Sequence, residues 1–587
     1  MPKLWRIHPH DSARVVALER SAAVPAVVAQ LLLCRGIHDA TSARHFLEAR
    51  LTSLRDPEDL PGAAAAADRI MRAIEAGKKI VIYGDYDVDG MSGTAILYRC
   101  LQMLGAAVRY YVPHRIEEGY GLNFDALTAL ASQGAGMIVT VDCGATSARE
   151  AAHARGLGLE LVVTDHHHLS EALPEADAIV HPALPGSGYP FTGLCGAGVA
   201  FKLAWALCQR ASQAKKVSPS MRAFLMQAVG LAALGTVADV VPLVDENRVL
   251  VRHGLTSLRE RPVTGAAALW KLLECEGPAP LSSEDIAFKF APRLNAAGRL
   301  GQATLGVELL TTDSSERADA LAAYLHELNA SRESLERSIY LAANKQATEQ
   351  FDPEADAALV LAERGWHPGV IGIVASRLAE KFHRPVVLIA LDAVGSKPGI
   401  GSARSAGGLP LHAAFTACSE HLLSHGGHAA AAGLRIDENC VDAFRTQFCE
   451  FAAAEMSDSA RTAELRIDAE VPFSALTTGA VADLERLAPF GESNPRPLLC
   501  ASNVTLGEPP RPVGGGQRHL SLRLVQHGVQ FKGIAFGGGE WADELAAVPG
   551  PIAVAFRPFV NHFRGRRSVE LQVCDWQPAT AASEKCA

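Results

Sequence analysis

The fold is decided by the stretch IVIYGDYDVDGMSGT, which runs from Ile80 to Thr94. Its first four residues are apolar and predict a short buried strand, which ends in a glycine-bounded loop. We expect Ser92 and Thr94 to open a helix over Ala95 to Leu104. The loop therefore places three aspartates at the carboxyl end of a strand.

These three aspartates, Asp85, Asp87 and Asp89, stand at alternate positions of the loop. Their carboxylates repel one another in any fold, so a tight loop that holds all three needs cations to neutralise them. A solvated acidic turn is the alternative interpretation. The buried strand before the loop and the Gly- and Ser-rich helix start after it favour a metal site.

Length and composition indicate a soluble, multidomain protein. A chain of 587 residues is too long for one core and predicts about two to four domains. Hydrophobic residues make up 48% and charged residues 20%, which is typical of globular proteins and not of disordered ones. The start, Met1 to Arg6, lacks an apolar signal core, and no run of about 18 uncharged apolar residues occurs. We therefore expect a cytoplasmic protein without a membrane segment.

The cysteines and the net charge exclude little else. The 12 cysteines are dispersed, with Cys440 and Cys449 the nearest pair, so a zinc ribbon and disulfides are not expected. A net charge of -9 argues only weakly against nucleic acid, because an acidic metal site contributes to that total.

Short β-rich runs separated by helical stretches predict a parallel α/β sheet in the first half of the chain. The runs are Ile80–Tyr83, Val108–Val112, Met137–Val141, Leu161–Thr164 and Ala178–His181. Ligands gather outside the carboxyl ends of the strands of such a sheet. Asp142 follows the third run and Asp165-His166-His167 follows the fourth, so we expect these side chains to join the first three aspartates.

Asp239 is the predicted fifth carboxylate of the same site. It follows the apolar run from Phe224 to Leu234 and the segment GTVA. A lone carboxylate in apolar surroundings is costly unless it has a partner, and the metal site offers one.

The remaining segments predict an α/β multidomain fold. Apolar residues recur at helical spacing from Ser314 to Gln350 without Gly or Pro, which predicts one long helix joining two lobes. A smaller α/β segment with glycine-rich loops at 399–408 and 426–433 follows, and the last segment predicts a small β-barrel or sandwich. The predicted boundaries are 1–50 for a helical cap on the first domain, 51–260 for the parallel-sheet domain, 261–350 for a linking region with the long helix, 351–460 for the accessory domain and 464–580 for the β domain.

A cluster of carboxylates with imidazole suits Mg²⁺ or Mn²⁺, and the imidazole favours Mn²⁺. So many anionic ligands can hold two cations about 4 Å apart, an arrangement that hydrolyses phosphoesters. We expect Asp142 to bridge both cations, Asp85 and Asp87 to hold one, and Asp89, His166 and Asp239 to hold the other.

His167 is then expected to be the general acid for the leaving oxygen, because adjacent residues do not easily enter one metal shell. Asp165 is expected to orient an imidazole by a hydrogen bond without binding a cation itself. For each of these groups the alternative is a hydrogen-bonded structural role.

Four short motifs resemble those of the DHH phosphoesterase superfamily, and of its RecJ branch in particular. They are Asp85-Tyr86-Asp87-Val88-Asp89-Gly90, Val141-Asp142, Asp165-His166-His167 and Gly235-Thr236-Val237-Ala238-Asp239. Further RecJ-like signatures extend the resemblance over nearly the whole chain: RIEEGYGL from Arg115, APRLNAAGR from Ala291, WHPGVIGIVASRL from Trp366, GSARS from Gly401, GGHAAAAG from Gly426 and FGESNPRP from Phe490. The triplet is extended by His168, which leaves open which imidazole is the acid, and Ala403 stands where Gly is more usual.

This resemblance implies a DHH domain, a DHH-associated accessory domain and a C-terminal oligonucleotide-binding (OB) fold. It implies processive removal of nucleotides from the 5′ end of single-stranded DNA with Mn²⁺ or Mg²⁺, releasing 5′-mononucleotides, in DNA repair and recombination. Single-strand-binding protein and a helicase are the partners that it implies, and we expect a monomer.

Candidate phosphate-binding residues lie on both lobes. Ser402, Arg404 and His428, on the glycine-rich segments, offer hydroxyl, guanidinium and imidazole donors, and the family resemblance agrees. Arg115, Arg293 and Arg299 are further candidates, for which a solvated surface charge is an equal alternative.

The C-terminal domain carries a candidate single-strand platform. Arg557, His562, Arg564, Arg566 and Arg567 stand among Phe556, Phe559 and Phe563. Basic residues among aromatic ones are typical of surfaces that stack bases and neutralise the backbone. We expect Phe559 and Arg564 to contact the strand, whereas an ordinary barrel with core phenylalanines is the alternative.

Two other functions stay open at this level. An enzyme of the same superfamily acting on pyrophosphate, cyclic dinucleotides or very short oligonucleotides would have no C-terminal platform. A DNA-binding scaffold with an inactive metal site would be expected to have lost acids from the cluster, and all of them are present.

Overall fold

The computed structural model describes residues 3–115, 117–275, 280–352, 355–457, 462–563 and 566–579, without the side chains of 562 and 563. The chain divides into two compact units. The first unit comprises residues 54–241 and 246–463, and the second comprises 3–53, 242–245 and the chain from 464 onward.

Helices and strands of the first unit alternate through its two lobes. In its first lobe they are α4 (Ala63–Glu75), β2 (Lys79–Gly84), α5 (Val88–Met103), β3 (Ala107–Tyr111), α6 (Phe124–Ser132), β4 (Met137–Val141), α7 (Ala148–Gly156), β5 (Glu160–Thr164), β6 (Ala178–Val180), α8 (Gly196–Ser212), α9 (Pro219–Ala238) and α10 (Asp245–Glu260). The linking region has α11 (Thr264–Leu272), α12 (Ser283–Asp285), α13 (Ala291–Arg299), α14 (Ala303–Thr311) and α15 (Ser315–Gln350). The accessory lobe has β7 (Leu359–Arg364), α16 (Ile371–Phe382), β8 (Val386–Leu391), β9 (Gly399–Arg404), α17 (Leu411–Ala417), β10 (Leu422–Gly427), β11 (Ala431–Ile436) and α18 (Val441–Glu455).

The second unit joins both ends of the chain. Its elements are β1 (Leu4–Ile7), α1 (Ser12–Ala22), α2 (Ala26–Cys34), α3 (Ala40–Glu48), β12 (Glu464–Ile467), β13 (Ala469–Glu470), α19 (Thr478–Leu484), β14 (Leu499–Leu506), β15 (Arg511–Val513), β16 (His519–Gln526), β17 (Val529–Ala535), α20 (Trp541–Ala547), β18 (Ile552–Phe563) and β19 (Arg566–Pro578).

The first lobe contains the predicted parallel sheet. Its strand order is β3-β2-β4-β5-β6, and every neighbouring pair runs parallel. The central strands β2 and β4 are buried almost throughout, as strands covered on both faces must be. The chain runs from β2 to β3 on one side of β2 and then returns to β4 on the other side, so the strand order reverses between β2 and β4. Ligands bind at such a point.

The long helix α15 has 36 residues and matches the predicted connection between the lobes. The accessory lobe is a mixed sheet of order β10-β11-β9-β8-β7. Its glycine-rich segments are largely strands and not the loops that we predicted: residues 399–404 form β9, and residues 426–427 and 431–433 belong to β10 and β11. Residues 405–408 and 428–430 lie outside the strands, as predicted. The glycines serve close packing, since a Cβ on Gly401 would lie 2.6 Å from Leu434 Cδ1.

In the second unit, strands β14, β18, β19, β17 and β16 form a ring that the β14–β16 pairing closes. The predicted C-terminal barrel is therefore present. The N-terminal segment belongs to this unit and not to the parallel-sheet domain that we expected residues 1–50 to cap. The physical reason is a shared core, because Leu31 and Leu32 are buried in one cluster with Leu484 and Phe556, and β1 pairs in parallel with β12.

One helix, α9, is long and apolar enough to cross a membrane, but 56% of its most apolar window is buried inside the protein. The bent pair α1 and α2 passes the same test of length and composition only as a pair broken by 111°. Core helices of soluble proteins pass this test too, so it is weak evidence for a membrane span.

A buried ion pair fixes helix α8, whose N-terminus reaches the carboxyl edge of the sheet. The side chains of Lys202 on α8 and Glu246 on α10 are fully buried and form a salt bridge with each other. Lys202 Nζ also donates to the Arg55 carbonyl at 2.7 Å, and the Tyr189 hydroxyl donates to Glu246. Burial lowers the pKa of Lys202, which the neighbouring carboxylate partly offsets.

We predict that Glu246→Gln lowers the free energy of unfolding by about 3–5 kcal/mol, because the buried Lys202 ammonium loses its counter-charge. Urea unfolding of the full chain measures this effect. Arg155→Ala is the control, since its pair with Glu175 is more than 60% exposed on both sides and should be worth less than about 1 kcal/mol. A cost for Glu246→Gln as small as that of the control would contradict the prediction.

Candidate metal centre

The first three aspartates surround the start of helix α5 at the carboxyl end of β2. Asp87 is the N-cap of α5, and its Oδ1 accepts from the N–H groups of Asp89 (2.9 Å) and Gly90 (3.1 Å). The helix therefore begins at Val88 and not at Ala95 as we predicted, because the Asp87 cap satisfies its first donors. Asp85 remains in the loop, and Asp89 lies in the first helical turn.

Helix α8 holds Asp89 by its N-terminus. The N–H of Gly196 donates to Asp89 Oδ2 at 2.6 Å, and the N–H of Ala197 donates to Oδ1 at 2.9 Å. The first N–H groups of a helix have no partner within the helix and favour negative charge. A fully buried carboxylate is thereby held in one orientation.

Asp142 follows β4 with a left-handed backbone (φ 64), which Asp tolerates better than most residues. Its N–H donates to the Thr164 carbonyl at 3.0 Å, and its own carbonyl accepts from the Tyr120 hydroxyl at 3.0 Å. Asp239 is the C-cap of helix α9. Asp142 and Asp239 thus come from the ends of two different elements, β4 and α9.

These elements bring the predicted ligands together in two groups. Asp85, Asp87 and Asp142 offer ligand atoms within 4.8 Å of one another, and so do Asp89, His166 and Asp239. His166 Nε2 connects them, since it lies 3.1 Å from Asp142 Oδ1, 3.5 Å from Asp239 Oδ2 and 3.8 Å from Asp89 Oδ2.

Crowding of these acids changes their protonation in the absence of cations. Burial and the charges of neighbouring aspartates raise the pKa values of Asp85 and Asp142 well above the ordinary value. Burial, Asp89 and Asp87 raise the pKa of Asp239 to about 9. Burial lowers the pKa of His166 to about 4, so its imidazole is neutral at neutral pH and can serve as a ligand.

Buried polar atoms without a hydrogen-bond partner provide a test of whether cations fit. Among the described residues, Asp85 Oδ1, Asp142 Oδ1 and His166 Nε2 are buried atoms of this kind, and all three belong to the two groups. Buried polar groups are nearly always paired, so these atoms indicate missing ligands. Carboxylate oxygens with one neutral imidazole suit Mn²⁺ and Mg²⁺, and the residues fit a pair of such cations.

Asp165 is bonded to His167 and belongs to neither of the two ligand groups. Its carboxylate accepts from the N–H groups of Ala145 (2.8 Å), His166 (2.8 Å) and His167 (3.2 Å), and Oδ1 lies 2.8 Å from His167 Nδ1. Burial alone would raise the pKa of Asp165, but these bonds lower it to about 2. Because Asp165 is therefore ionised, His167 Nδ1 carries the proton of this bond.

The same bond controls the charge of His167. Burial lowers its pKa, but the hydrogen bond and charge of Asp165 outweigh burial and raise the pKa to about 9. Tyr120, which sequence patterns did not single out, places its hydroxyl oxygen 2.9 Å from Nδ1 and its ring 5.4 Å from the imidazole. His167 is therefore a cationic imidazole fixed at the edge of the acidic cluster.

Three arginines form a positive site beside the acids. Arg299 from α13 donates to the Gly369 carbonyl at 3.3 Å, Arg404 from β9 donates to Ser402 Oγ at 3.1 Å, and Arg115 covers the Tyr86 ring at 4.7 Å. Burial, Arg115, Arg332 and Arg404 lower the pKa of Arg299 to about 10. Cations that repel one another in this way create a site for an anion such as a phosphate.

The other predicted substrate residues are more scattered. His428 lies between β10 and β11 with its ring 5.1 Å from that of His168, which gives this additional histidine a contact in the accessory lobe. Arg293 donates to the Lys289 carbonyl at 2.9 Å. Its pKa is lowered by burial, and the charged groups that affect that pKa are Glu333, which raises it, and Arg332, which lowers it.

In the second unit, Phe559 is half-buried on β18, where it pairs with Glu570. Arg564 lies outside the described residues.

Two glycines that we did not predict as site residues lie against the acids, although one of them, Gly235, begins the GTVAD motif. A Cβ on Gly196 would lie 2.5 Å from Asp142 Oδ1, and one on Gly235 would lie 2.3 Å from Asp89 Oδ1. Both glycines permit a close approach of helix backbone to carboxylate. The runs GLCGAG and ALGT contain these glycines, but their spacing does not distinguish them from helix-packing glycines.

Family models match three parts of the chain. The model of the DHH family N-terminal domain matches residues 79–236, the DHHA1 domain matches residues 355–454, and the RecJ OB domain matches residues 467–575.

Curated relatives match over most of their length. The chain is 36% identical to the single-stranded-DNA-specific exonuclease RecJ of Bacillus subtilis over 97% of this chain and 70% of that protein. It is 34% identical to the protein of the same description from Escherichia coli, over 94% and 95% respectively.

Solved structures agree with these matches. RecJ from Thermus thermophilus in complex with Mn²⁺ superposes with a TM-score of 0.82 at 33% identity, covering 98% of this chain and 79% of that one. The same enzyme in complex with Mg²⁺ gives a TM-score of 0.77 at 32% identity, covering 98% and 78%.

We predict that Gly196→Ala weakens Mn²⁺ binding by about 10- to 100-fold, because the added Cβ displaces Asp142 and moves the N–H that holds Asp89. Isothermal titration with Mn²⁺ measures the affinity. Gly156→Ala at the end of α7 is the matched control, since a Cβ there meets nothing within 4 Å. Equal affinities of the two variants would contradict the role of Gly196.

We predict that Asp239→Asn stabilises the metal-free protein at pH 8. A carboxyl group whose pKa rises from about 4 in the unfolded chain to about 9 in the fold costs stability progressively as the pH rises between these values. The variant lacks this cost, so in chelator its Tm should exceed that of the wild type at pH 8 and approach it at pH 5.

Differential scanning fluorimetry measures both effects, with Mn²⁺ added in a second series. Mn²⁺ should raise the Tm of the wild type more than that of Asp239→Asn, because the variant has lost a ligand. A variant that is less stable than the wild type in chelator at pH 8 would be evidence against electrostatic crowding.

Proposed function

The chain belongs to the RecJ family of single-stranded-DNA-specific exonucleases in the DHH superfamily, and on this basis we propose that it removes mononucleotides from the 5′ end of single-stranded DNA. The reaction is hydrolysis of a phosphodiester with two divalent cations. The observation that carries the proposal is the juxtaposition of five aspartates and three arginines, in which unpaired buried ligand atoms of the acidic cluster lie beside the arginines.

Asp85, Asp87 and Asp142 would hold one cation, and Asp89, His166 and Asp239 would hold the other. Mn²⁺ and Mg²⁺ are the ions with which solved RecJ structures are in complex, and the donor set suits both. When bound, the pair lowers the pKa of a coordinated water and neutralises charge on the phosphate. The protein contributes ligands that are oriented before substrate arrives.

Arg115, Arg299 and Arg404 bind the terminal 5′-phosphate of the strand. Their guanidinium groups repel one another, so a doubly charged phosphate relieves that repulsion as it binds. Ser402 and His428 lie on the same lobe as Arg404 and complete this site, and Arg293 contacts the strand further away. The terminal phosphate thereby fixes which bond reaches the cations.

His167 donates a proton to the O3′ atom that leaves with the released nucleotide. Its raised pKa, about 9, keeps the imidazole protonated at neutral pH, and Asp165 fixes the ring through Nδ1. A proton donor is needed because an alkoxide is a poor leaving group. The remaining strand retains the phosphate that the water attacked and becomes the next substrate.

The C-terminal barrel contributes a second binding surface for the strand. A match to the RecJ OB domain over residues 467–575 supports this role, with Phe559 as a stacking residue and Arg564 as a backbone contact. We further propose that the enzyme is a cytoplasmic monomer that acts with single-strand-binding protein and a helicase in DNA repair and recombination. Pull-down with each partner tests the last point.

Digestion of a single strand labelled at one end tests the function directly. A 5′-label should appear in mononucleotides at once in Mn²⁺, whereas a 3′-label should be released only after the strand has shortened, and chelator should stop both. Release of the 3′-label first would overturn the polarity, and equal rates on blunt duplex would overturn the single-strand specificity.

We predict that Arg404→Ala removes the preference for a 5′-phosphate over a 5′-hydroxyl terminus. The wild type should degrade the phosphorylated strand at least about tenfold faster, and the variant should treat both alike, because a charge-assisted phosphate contact is worth about 1.5–3 kcal/mol. Steady-state rates on the two strands measure this. Arg435→Ala, on the neighbouring strand β11, is the matched control and should keep the preference.

A further inference from the structure

Val240 has a backbone conformation that its side chain disfavours. Its φ is 59, in the left-handed region. Among the described residues, it is the one β-branched residue with positive φ; the other non-glycine residues there are Ala23, Ala49, Asp142, Gln213, Asp245, Glu274, His383, Ser493, Asn503, Gln517 and His527. A bulky β-branched side chain in this region is an outlier that points to a functional constraint.

The position is one at which helices usually have glycine. Helix α9 ends with Asp239 as its C-cap, and Val240 is the next residue, where a left-handed conformation closes many helices. The closing bond is long, since the Val240 N–H reaches the Val237 carbonyl at 3.4 Å. Glycine would close this helix without the steric cost of a branched Cβ.

Burial does not compensate for this cost. Val240 is 65% exposed, so its side chain removes little apolar surface from water in the free protein. Asp239, directly before it, has a side chain that is 21% exposed, whereas the side chains of Asp89 and Asp142 are 0% and 2% exposed. Asp239 is therefore more open to solvent than these two acids, and the exposed apolar side chain of Val240 follows it directly in the chain.

We propose that Val240 packs against the base of the nucleotide bound at the metal centre. This inference rests on the proposed function, because it takes a single strand as the substrate. A nucleotide presents a charged phosphate, which the cations and arginines attract, and an apolar base face, which needs an uncharged partner. Contact with the valine methyl groups accepts any base, because it uses area and not hydrogen bonds.

The test compares Val240→Gly and Val240→Ala with the wild type on a 5′-phosphorylated oligothymidylate. Both variants should raise KM about threefold to tenfold, as expected for the loss of two buried methyl groups, with kcat little changed. On a strand whose first two nucleotides are abasic, the variants and the wild type should have the same KM. An unchanged KM on the normal strand, or an equal increase on both strands, would overturn the proposal.

Measurements of Tm and of Mn²⁺ affinity distinguish contact with the base from a role of the Val240 backbone in positioning Asp239. Val240→Gly should raise the Tm, because glycine adopts a left-handed conformation without strain. The Mn²⁺ affinity of the variant should equal that of the wild type. If Mn²⁺ binding instead weakens in proportion to the rise in KM, Val240 holds Asp239 in place and the proposal is overturned. Gln213→Gly is the matched control, since Gln213 is exposed with φ 50 at the end of α8. It should raise the Tm without changing KM.

The reaction of the wild type distinguishes failure of the proposed exonuclease function from failure of the proposed Val240 contact. If the wild type does not degrade the labelled strand, the proposed function fails and the Val240 comparison has no substrate. If the wild type degrades it and both Val240 variants behave like the wild type, the contact with the base fails and the exonuclease function stands.

Discussion

Repulsion between buried carboxylates is the constraint on which the rest of this structure depends. Asp85, Asp89 and Asp142 are almost fully buried, and they lie within a few ångströms of the more exposed Asp239. In water such charges are screened, but in the interior they raise one another's pKa until protons or cations neutralise them. The first lobe is therefore built around a site that is complete only with divalent cations, and the unpaired atoms of that site record the same requirement.

The main chain holds these acids in place. Asp87 caps one helix, Asp89 accepts from the N-terminus of another, and Asp239 ends a third. The two helix N-termini supply N–H groups and a dipole that favours negative charge without any side-chain ordering, so Asp87 and Asp89 are oriented at little entropic cost. Gly196 lets the N-terminus of α8 approach Asp142 closely, and the buried pair of Lys202 with Glu246 anchors the same helix to α10. Packing far from the acids thus controls their geometry.

The three arginines also form a cluster of like charges, here positive, that separate segments of the chain bring together. Arg115 comes from a loop of the first lobe, Arg299 from the linking region and Arg404 from the accessory lobe. Each guanidinium lowers the pKa of a neighbour, while Arg115 lowers the pKa values of Asp85 and Asp87. Three separate segments thus place guanidinium groups beside the acids, which is the arrangement on which the proposed phosphate site rests.

Sequence alone determined the fold class and the composition of the metal centre. The parallel sheet, the long helix, the mixed accessory lobe and the C-terminal barrel follow from periodicity, and polar residues after apolar runs identified all the acids that the structure brings together. Tertiary structure decided what depends on contacts between distant segments. It made strands of residues 399–404, 422–427 and 431–436, joined the N-terminal helices to the barrel, and gave Arg293 neighbours other than Arg115, Arg299 and Arg404. It also gave Val240 its strained, exposed position, because a local pattern reports which residues prefer burial but not which backbone conformation the surrounding packing imposes.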